Sequence, residues 1–293
     1  SEGTMNSLKH RILVVDDSKI NRELLSDMLS DTYEVDESIV STAEKWLETY
    51  NDGNLNGEPL LVFHGGNATS AYNLLIFDFM FSDFHIFAVD TIGHPGKSAE
   101  TCLSAKGYDY GKWACEVIEK LGFSSMACCA GSFGAGILAK AMCVAPEKIK
   151  KAVLYVPSGI KNAPAISSAG MMFPMIMYWF TRKDSWLKKT ILPMALTEEN
   201  ISRDVYQTAK LSINFAKVKT GMPSNVSGRL MKNCRASALV MAAEKDCLFP
   251  GKGVIKRAEK IIPNCTTYLI KARGHMNFMT AEEKEMIRTF LKD

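Results

Sequence analysis

Ala130-Gly131-Ser132-Phe133-Gly134 decides how this chain is read. Residues 124–129 ahead of it form a strand-like run, and residues 134–142 behind it form a helix-like run. A serine on so abrupt a strand-to-helix turn needs small residues two places to either side, because the backbone crowds there. Ala130 and Gly134 meet that need, and Gly131 and Gly136 loosen the turn further. The hydroxyl is then held clear of the sheet, beside the first N–H groups of a helix, where negative charge is favoured. Alanine stands at the position where the commoner form of this turn has its first glycine. Small residues also ease helix–strand packing, so the meaning of the pentapeptide rests on what surrounds it.

Two partners for a serine nucleophile follow downstream. Residues 238–243 (Ala-Leu-Val-Met-Ala-Ala) read as a buried strand, and Glu244-Lys245-Asp246 comes directly after. Residues 266–272 read as the next strand, and Arg273-Gly274-His275 follows it. Taken singly, Asp246 reads as a turn or cap residue and His275 as a surface histidine. Taken together, Ser132, Asp246 and His275 each stand just past a strand end, where α/β enzymes place their chemistry. They read as nucleophile, orienting acid and general base. Upstream, residues 60–63 form another buried strand, followed by His64-Gly65-Gly66-Asn67. An acyl-transfer site needs N–H donors aimed at a developing oxyanion. The N–H of Phe133 and that of Gly66, with Gly65 the alternative, are the candidates. His64 reads as a brace for its own loop rather than as a base.

Phe87-Ala88-Val89-Asp90-Thr91-Ile92-Gly93-His94-Pro95-Gly96-Lys97-Ser98 adds a further motif. With it, the chain from about residue 35 onward resembles a serine-type α/β-hydrolase of the esterase and lipase superfamily. The Asp–Gly–Gly–Ser loop departs from the commonest form by one extra residue between its glycines. The order Ser132, Asp246, His275 is the one that resemblance implies. It also implies an α/β-hydrolase fold: a mostly parallel sheet covered by helices on both faces, with an inserted helical cap. Ser132 argues against the superfamily's dehalogenases and epoxide hydrolases, whose nucleophile is an aspartate.

Composition sets the outer bounds. Of 293 residues, 47% are hydrophobic and 23% charged, with a net charge of +3, which fits an ordinary globular chain able to bury a full core. No basic run with interleaved aromatics points to nucleic acid. Eight cysteines fall mostly inside expected strands and helices, without a secretory signal, so free thiols and a cytoplasmic location are expected. No Cys/His spacing forms a zinc site, and neither metal nor cofactor is expected. The densest apolar run, residues 171–180, is interrupted by Pro174 and is too short to span a bilayer. The expected partner is a small acyl substrate; the oligomeric state is left open.

Strands are expected at about 33–43, 45–51, 60–64, 85–91, 124–130, 151–157, 237–243 and 266–272, the first two as an antiparallel edge hairpin. Helices are expected near 69–81, 109–121, 134–144, 253–262 and 280–292. The strand–helix alternation breaks between residues 160 and 234, a stretch too long for an ordinary connection. This divides the chain into an N-terminal extension (1–31), a core (32–160 and 234–293) and a helical cap (161–233). The cap opens on Met- and aromatic-rich sequence, and Met172, Met175 and Met177 are its candidate pocket residues. Separately, Arg11-Ile12-Leu13-Val14-Val15-Asp16-Asp17 and the residues to 29 resemble the truncated start of a response-regulator receiver domain. Asp78 sits too far along to be its phosphoacceptor, so the segment reads as a strand and an amphipathic helix rather than a switch.

The function implied is cleavage of a carboxylic ester, or a related acyl substrate, through an acyl-enzyme. Alternatives are the same triad acting on amide, thioester or C–C bonds or in acyl transfer, and a non-catalytic ligand-binding or regulatory protein of the same fold.

Overall fold

The computed structural model describes residues 56–293 except Lys217, together with Arg11–Leu13, Glu34–Asp36 and Asn54. Arg11–Leu13 (β1) and Glu34–Asp36 (β2) pair in parallel as a small separate sheet, with Ile12 opposite Val35. The described part of the expected hairpin's first strand thus has a parallel partner from upstream and is not at the edge of the main sheet. The remainder of that hairpin, the helix expected at 20–29, and Asp16 and Asp17 lie outside the described residues.

The main sheet comprises Glu58–Phe63 (β3), Phe84–Val89 (β4), Met126–Gly131 (β5), Ile149–Tyr155 (β6), Ser237–Ala243 (β7) and Cys265–Ile270 (β8). Its order is β4-β3-β5-β6-β7-β8, and every pair is parallel. Central strands β5 and β7 are buried almost along their whole length, as a sheet covered on both faces requires. Edge strand β4 alternates buried and half-buried positions instead.

Helices Ser70–Ile76 (α1), Asp109–Lys120 (α2) and Ser132–Val144 (α3) follow β3, the segment after β4, and β5. Successive residues of β3 serve opposite faces. Leu61 and Phe63 pack with Ile118 of α2 and Leu138 of α3, while Leu60 and Val62 pack with Leu74 of α1. The chain then inserts Ala169–Thr181 (α4), Asp184–Ala195 (α5), Arg203–Phe215 (α6) and the short Gly228–Met231 (α7) between β6 and β7. Gly251–Ile261 (α8) and Ala281–Lys292 (α9) complete the core.

The insertion has its own small core of Tyr178, Leu187, Ile191 and Ala195. Helix α4 runs through Pro174, so the apolar run is not interrupted as its sequence suggested. Pro174 is the sixth residue of the helix, so it removes the bond its N–H would have made to the Gly170 carbonyl and crowds that carbonyl with its ring. Lys140 of α3 is buried and donates to the carbonyl of Gly107 (2.5 Å) and to Ser224 Oγ (3.2 Å). It thereby ties the return limb of the insertion to the core. All eight cysteines are free thiols, and burial pushes Cys115 up to about 11 and Cys143 up to about 12, which keeps them protonated. Among the described residues no helix is long and apolar enough to cross a membrane, and no group of three His, Cys, Asp or Glu is placed to hold a metal ion.

Candidate active site

Ser132 opens α3 with φ of 51°, the left-handed region that a non-glycine residue enters only under constraint. The constraint is visible. A Cβ on Gly134 would lie 2.5 Å from the carbonyl oxygen of His64 and 2.6 Å from that of Phe63, so only glycine lets α3 approach the end of β3. On the other side, Ser158 seizes the carbonyl of Ser132 twice, through its N–H (3.1 Å) and its Oγ (3.0 Å).

The three candidates chosen from sequence meet in one chain of hydrogen bonds. Ser132 Oγ lies 3.0 Å from His275 Nε2, and His275 Nδ1 lies 2.7 Å from Asp246 Oδ2. The Asp246 carboxylate is buried, and its other oxygen accepts from the N–H groups of Leu248 (2.7 Å) and Phe249 (3.0 Å). Those bonds fix the carboxylate so that one oxygen is left for the imidazole. Ser132 itself is half-buried and reachable from outside.

Strands β3 and β5 are neighbours, with Phe63 opposite Ala130, so the loop after β3 arrives beside the serine. A Cβ on Gly65 would sit 3.7 Å from Ser132 Cβ, and one on Gly66 would sit 3.4 Å from Phe133 Cβ. The backbone of both glycines thus runs against the start of α3, whose first N–H groups lack helical partners. His64 braces this loop. Its Nε2 accepts from the N–H of Thr91 (2.8 Å), which leaves Nδ1 to donate to the carbonyl of Gly65 (2.7 Å). Burial lowers its pKa and keeps it neutral. His94 stacks 4.5 Å from the Phe133 ring, and burial with the nearby His64 lowers it to about 4. Asp90 closes the same region, accepting from Ser70 N–H (2.8 Å) at the start of α1 and from Lys97 N–H (2.9 Å).

Several supports escaped the sequence reading. Tyr155 OH donates to Asn277 Oδ1 (2.5 Å), and Asn277 Nδ2 donates to the carbonyl of Gly274 (2.9 Å), bracketing His275. Arg273 forms a two-pronged ion pair with fully buried Glu283. Glu283 also completes a capping box with Thr280 at the head of α9. That box was legible as Thr-Ala-Glu-Glu, although its tie to Arg273 was not. The insertion reaches both loops: Ser212 Oγ of α6 donates to the Asn67 carbonyl (2.7 Å), and Met276 N–H donates to the Met194 carbonyl (3.0 Å). Of the three methionines named for the pocket, Met175 and Met177 are half-buried on α4. Met172 is 63% exposed, because helical geometry sets it on the outer stripe with Phe173 and Ile176.

Asp78 begins a 3-10 turn, Asp78–Met80, with Lys284 Nζ at 3.9 Å. It is not at a strand end, as a receiver phosphoacceptor would be.

Comparison with known proteins agrees with this architecture. Over 237 residues the chain is 23% identical to carboxylesterase YbfK of Bacillus subtilis (strain 168), covering 78% of this chain and 77% of that protein. The crystal structure of naproxen esterase (carboxylesterase NP) from Bacillus subtilis superposes with a TM-score of 0.70 at 18% identity, over 82% of this chain and 85% of that one. The crystal structure of carboxylesterase CesB (YbfK) from the same organism gives 0.66 at 19% identity, over the same shares. The model of the alpha/beta hydrolase fold family matches residues 58–212, which run from β3 into α6 and include Ser132. Over half of its length, and in its sheet order and strand-end loops, this chain belongs to the alpha/beta hydrolase fold family.

Proposed function

We propose that the protein is a serine esterase that cleaves a small carboxylic ester through an acyl-enzyme. The observation that carries this reading is the bonded series Ser132–His275–Asp246, built on a serine held at positive φ. Ser132 Oγ attacks the ester carbonyl while His275 Nε2 takes its proton. The protonated imidazole then donates that proton to the departing alkoxide, and the alcohol leaves. Asp246, fixed by two backbone N–H groups, sets the tautomer of His275 and balances the imidazolium charge. The oxyanion is received by the N–H of Phe133 and that of Gly66, with Gly65 beside it. A water molecule, activated by the same imidazole, then attacks the acyl-enzyme and returns free Ser132 and a carboxylic acid. The names of the similar proteins, carboxylesterase and naproxen esterase, support an ester as the bond broken.

Residues 161–233 act in this reading as a cap, a domain distinct from the core at 32–160 and 234–293. Its bonds to Asn67 and Met276 set it against both loops of the site. Met175 and Met177 are assigned to its acyl pocket; exposed Met172 is not. The N-terminal residues 1–31 carry none of the chemistry. A fluorophosphonate probe tests the nucleophile: it labels the wild type and not Ser132→Ala. A series of nitrophenyl esters tests the cap. The value of kcat/KM climbs by up to about fourfold per CH₂, the equivalent of about 0.8 kcal/mol, while the chain still fits, then falls. A flat profile, or equal activity on emulsified long-chain lipid, would show that the cap does not roof the site.

A further inference from the structure

Helix α4 presents an apolar surface that the described residues leave largely uncovered. Met172 (63% exposed), Phe173 (62%), Ile176 (41%), Trp179 (57%) and Phe180 (84%) are all on its outside. At about 100° per residue these five fall within an arc roughly 120° wide, opposite the buried Tyr178. Such a stripe ordinarily faces a core. Its rim is basic. Lys183 and Lys189 border the stripe, whereas Arg182 turns inward, donating to Asn214 Oδ1 (2.9 Å) and lying over the ring of buried Tyr178. Asp184 is engaged by Lys210 at 2.9 Å. Lys183 follows the helix end beyond Phe180 and is exposed. At the other end, Phe173 packs on Trp186 (5.8 Å), and the Lys189 ammonium lies 4.5 Å over that ring.

We propose that this face docks the protein on the surface of an anionic phospholipid bilayer, with α4 lying in the interface. The chemistry favours lipid over protein. A specific protein interface carries about one hydrogen bond per 100–200 Å². This stripe offers no polar group except the Trp179 indole N–H. In an antiparallel face-to-face pair of copies, Lys183 of one would lie toward the end of α4 where Lys189 of the other sits, like charge against like. Anionic headgroups would instead neutralise the lysines while the acyl boundary receives Trp179 and Phe180. Thirteen residues give a helix about 20 Å long, short of the roughly 30 Å hydrocarbon core. The helix therefore lies on the bilayer and does not span it.

Flotation of the full chain with vesicles tests the proposal. The wild type is expected to float with phosphatidylcholine vesicles containing phosphatidylglycerol at low salt, and about tenfold less with phosphatidylcholine alone. Trp179→Ser with Phe180→Ser should lower binding by about tenfold or more, with the circular dichroism and melting midpoint of the wild type. Lys183→Glu with Lys189→Glu should abolish the anionic preference; should the aromatic variant fold poorly, this charge pair decides. The proposal is overturned if the wild type does not float with anionic vesicles, or if folded variants bind as well as it does. It is equally overturned if sedimentation shows a soluble dimer that the aromatic pair of substitutions dissociates.

Discussion

Helices α3 and α4 are each thirteen residues long and each overwhelmingly apolar, yet they meet opposite fates. Every residue of α3 from Phe133 to Cys143 is buried, whereas α4 buries only Tyr178. The difference lies in their neighbours. Helix α3 is threaded between the end of β3, α2 and β6, and small residues on its surface let those backbones close in. Helix α4 has α5 and α6 on its inner side, and its outer stripe is left largely uncovered by the described residues. Burial is thus a property of what packs against a helix, and composition alone does not assign it. Helix α3 positions the candidate nucleophile; α4 is free to meet something outside the molecule.

The largest test acts at the head of the buried helix. Ser132→Ala is expected to lower ester turnover by about a million-fold with an unchanged melting curve. Residual turnover near the wild-type rate would remove Ser132 from the nucleophile's role. Asp246→Asn should cost about 10⁴-fold, since serine and imidazole remain but the tautomer is lost.

Next comes the acid sensitivity of the ground beneath α3. His94 packs against Phe133, and its folded value of about 4 lies below the ordinary histidine value of 6.5. His64 is lowered as well. The unfolded chain therefore binds more protons between those values. Stability is complete above about pH 6.5 and is lost as pH falls toward 4, by about 2–3 kcal/mol for His94. Urea unfolding at several pH values reads this slope, and His94→Phe should flatten it. An unchanged slope in that variant would locate the sensitivity elsewhere.

Two smaller tests set the helices directly against each other. Gly134→Ala in α3 drives a methyl into the His64 and Phe63 carbonyls and should destabilise by about 1–3 kcal/mol in a denaturant melt. Trp179→Gln on the outer stripe of α4 should stay within about 0.5 kcal/mol of wild type. A large loss there would mean that the stripe is covered in the folded molecule.

Much of this was legible in the chain because local and global signals agreed. Both faces of the sheet are covered, so β5 and β7 had to be continuous apolar runs, and these announced their own limits. Residues 237–243 are the strand both by pattern and by structure. The site was legible because each of its members follows a strand end, at a turn whose residue types are unusual: the small residues around Ser132, the glycines after His64, the acid after Ala243. The supports were silent. Tyr155 and Asn277 are 122 residues apart, and Ser212 and Asn67 are 145 apart, and of the four only Asn67 stands in a motif, as the last residue of the His64 loop. The parallel pairing of Glu34–Asp36 was not legible for a similar reason. The partner of Glu34–Asp36 is β1, from upstream, and pairing across such a distance leaves no periodic trace.

The sequence by itself determined the parallel sheet, the strand-end placement of Ser132, Asp246 and His275, and the presence of a long helical insertion. These follow from residue size, backbone conformation and hydrophobic period, which act over a few neighbours. The tertiary structure decided which faces of the insertion are inside. Met172 and Met175 are three residues apart in one apolar run, yet one is exposed and the other half-buried. A helix that is apolar all round carries no preferred inward face. Only the bodies that pack against it choose one.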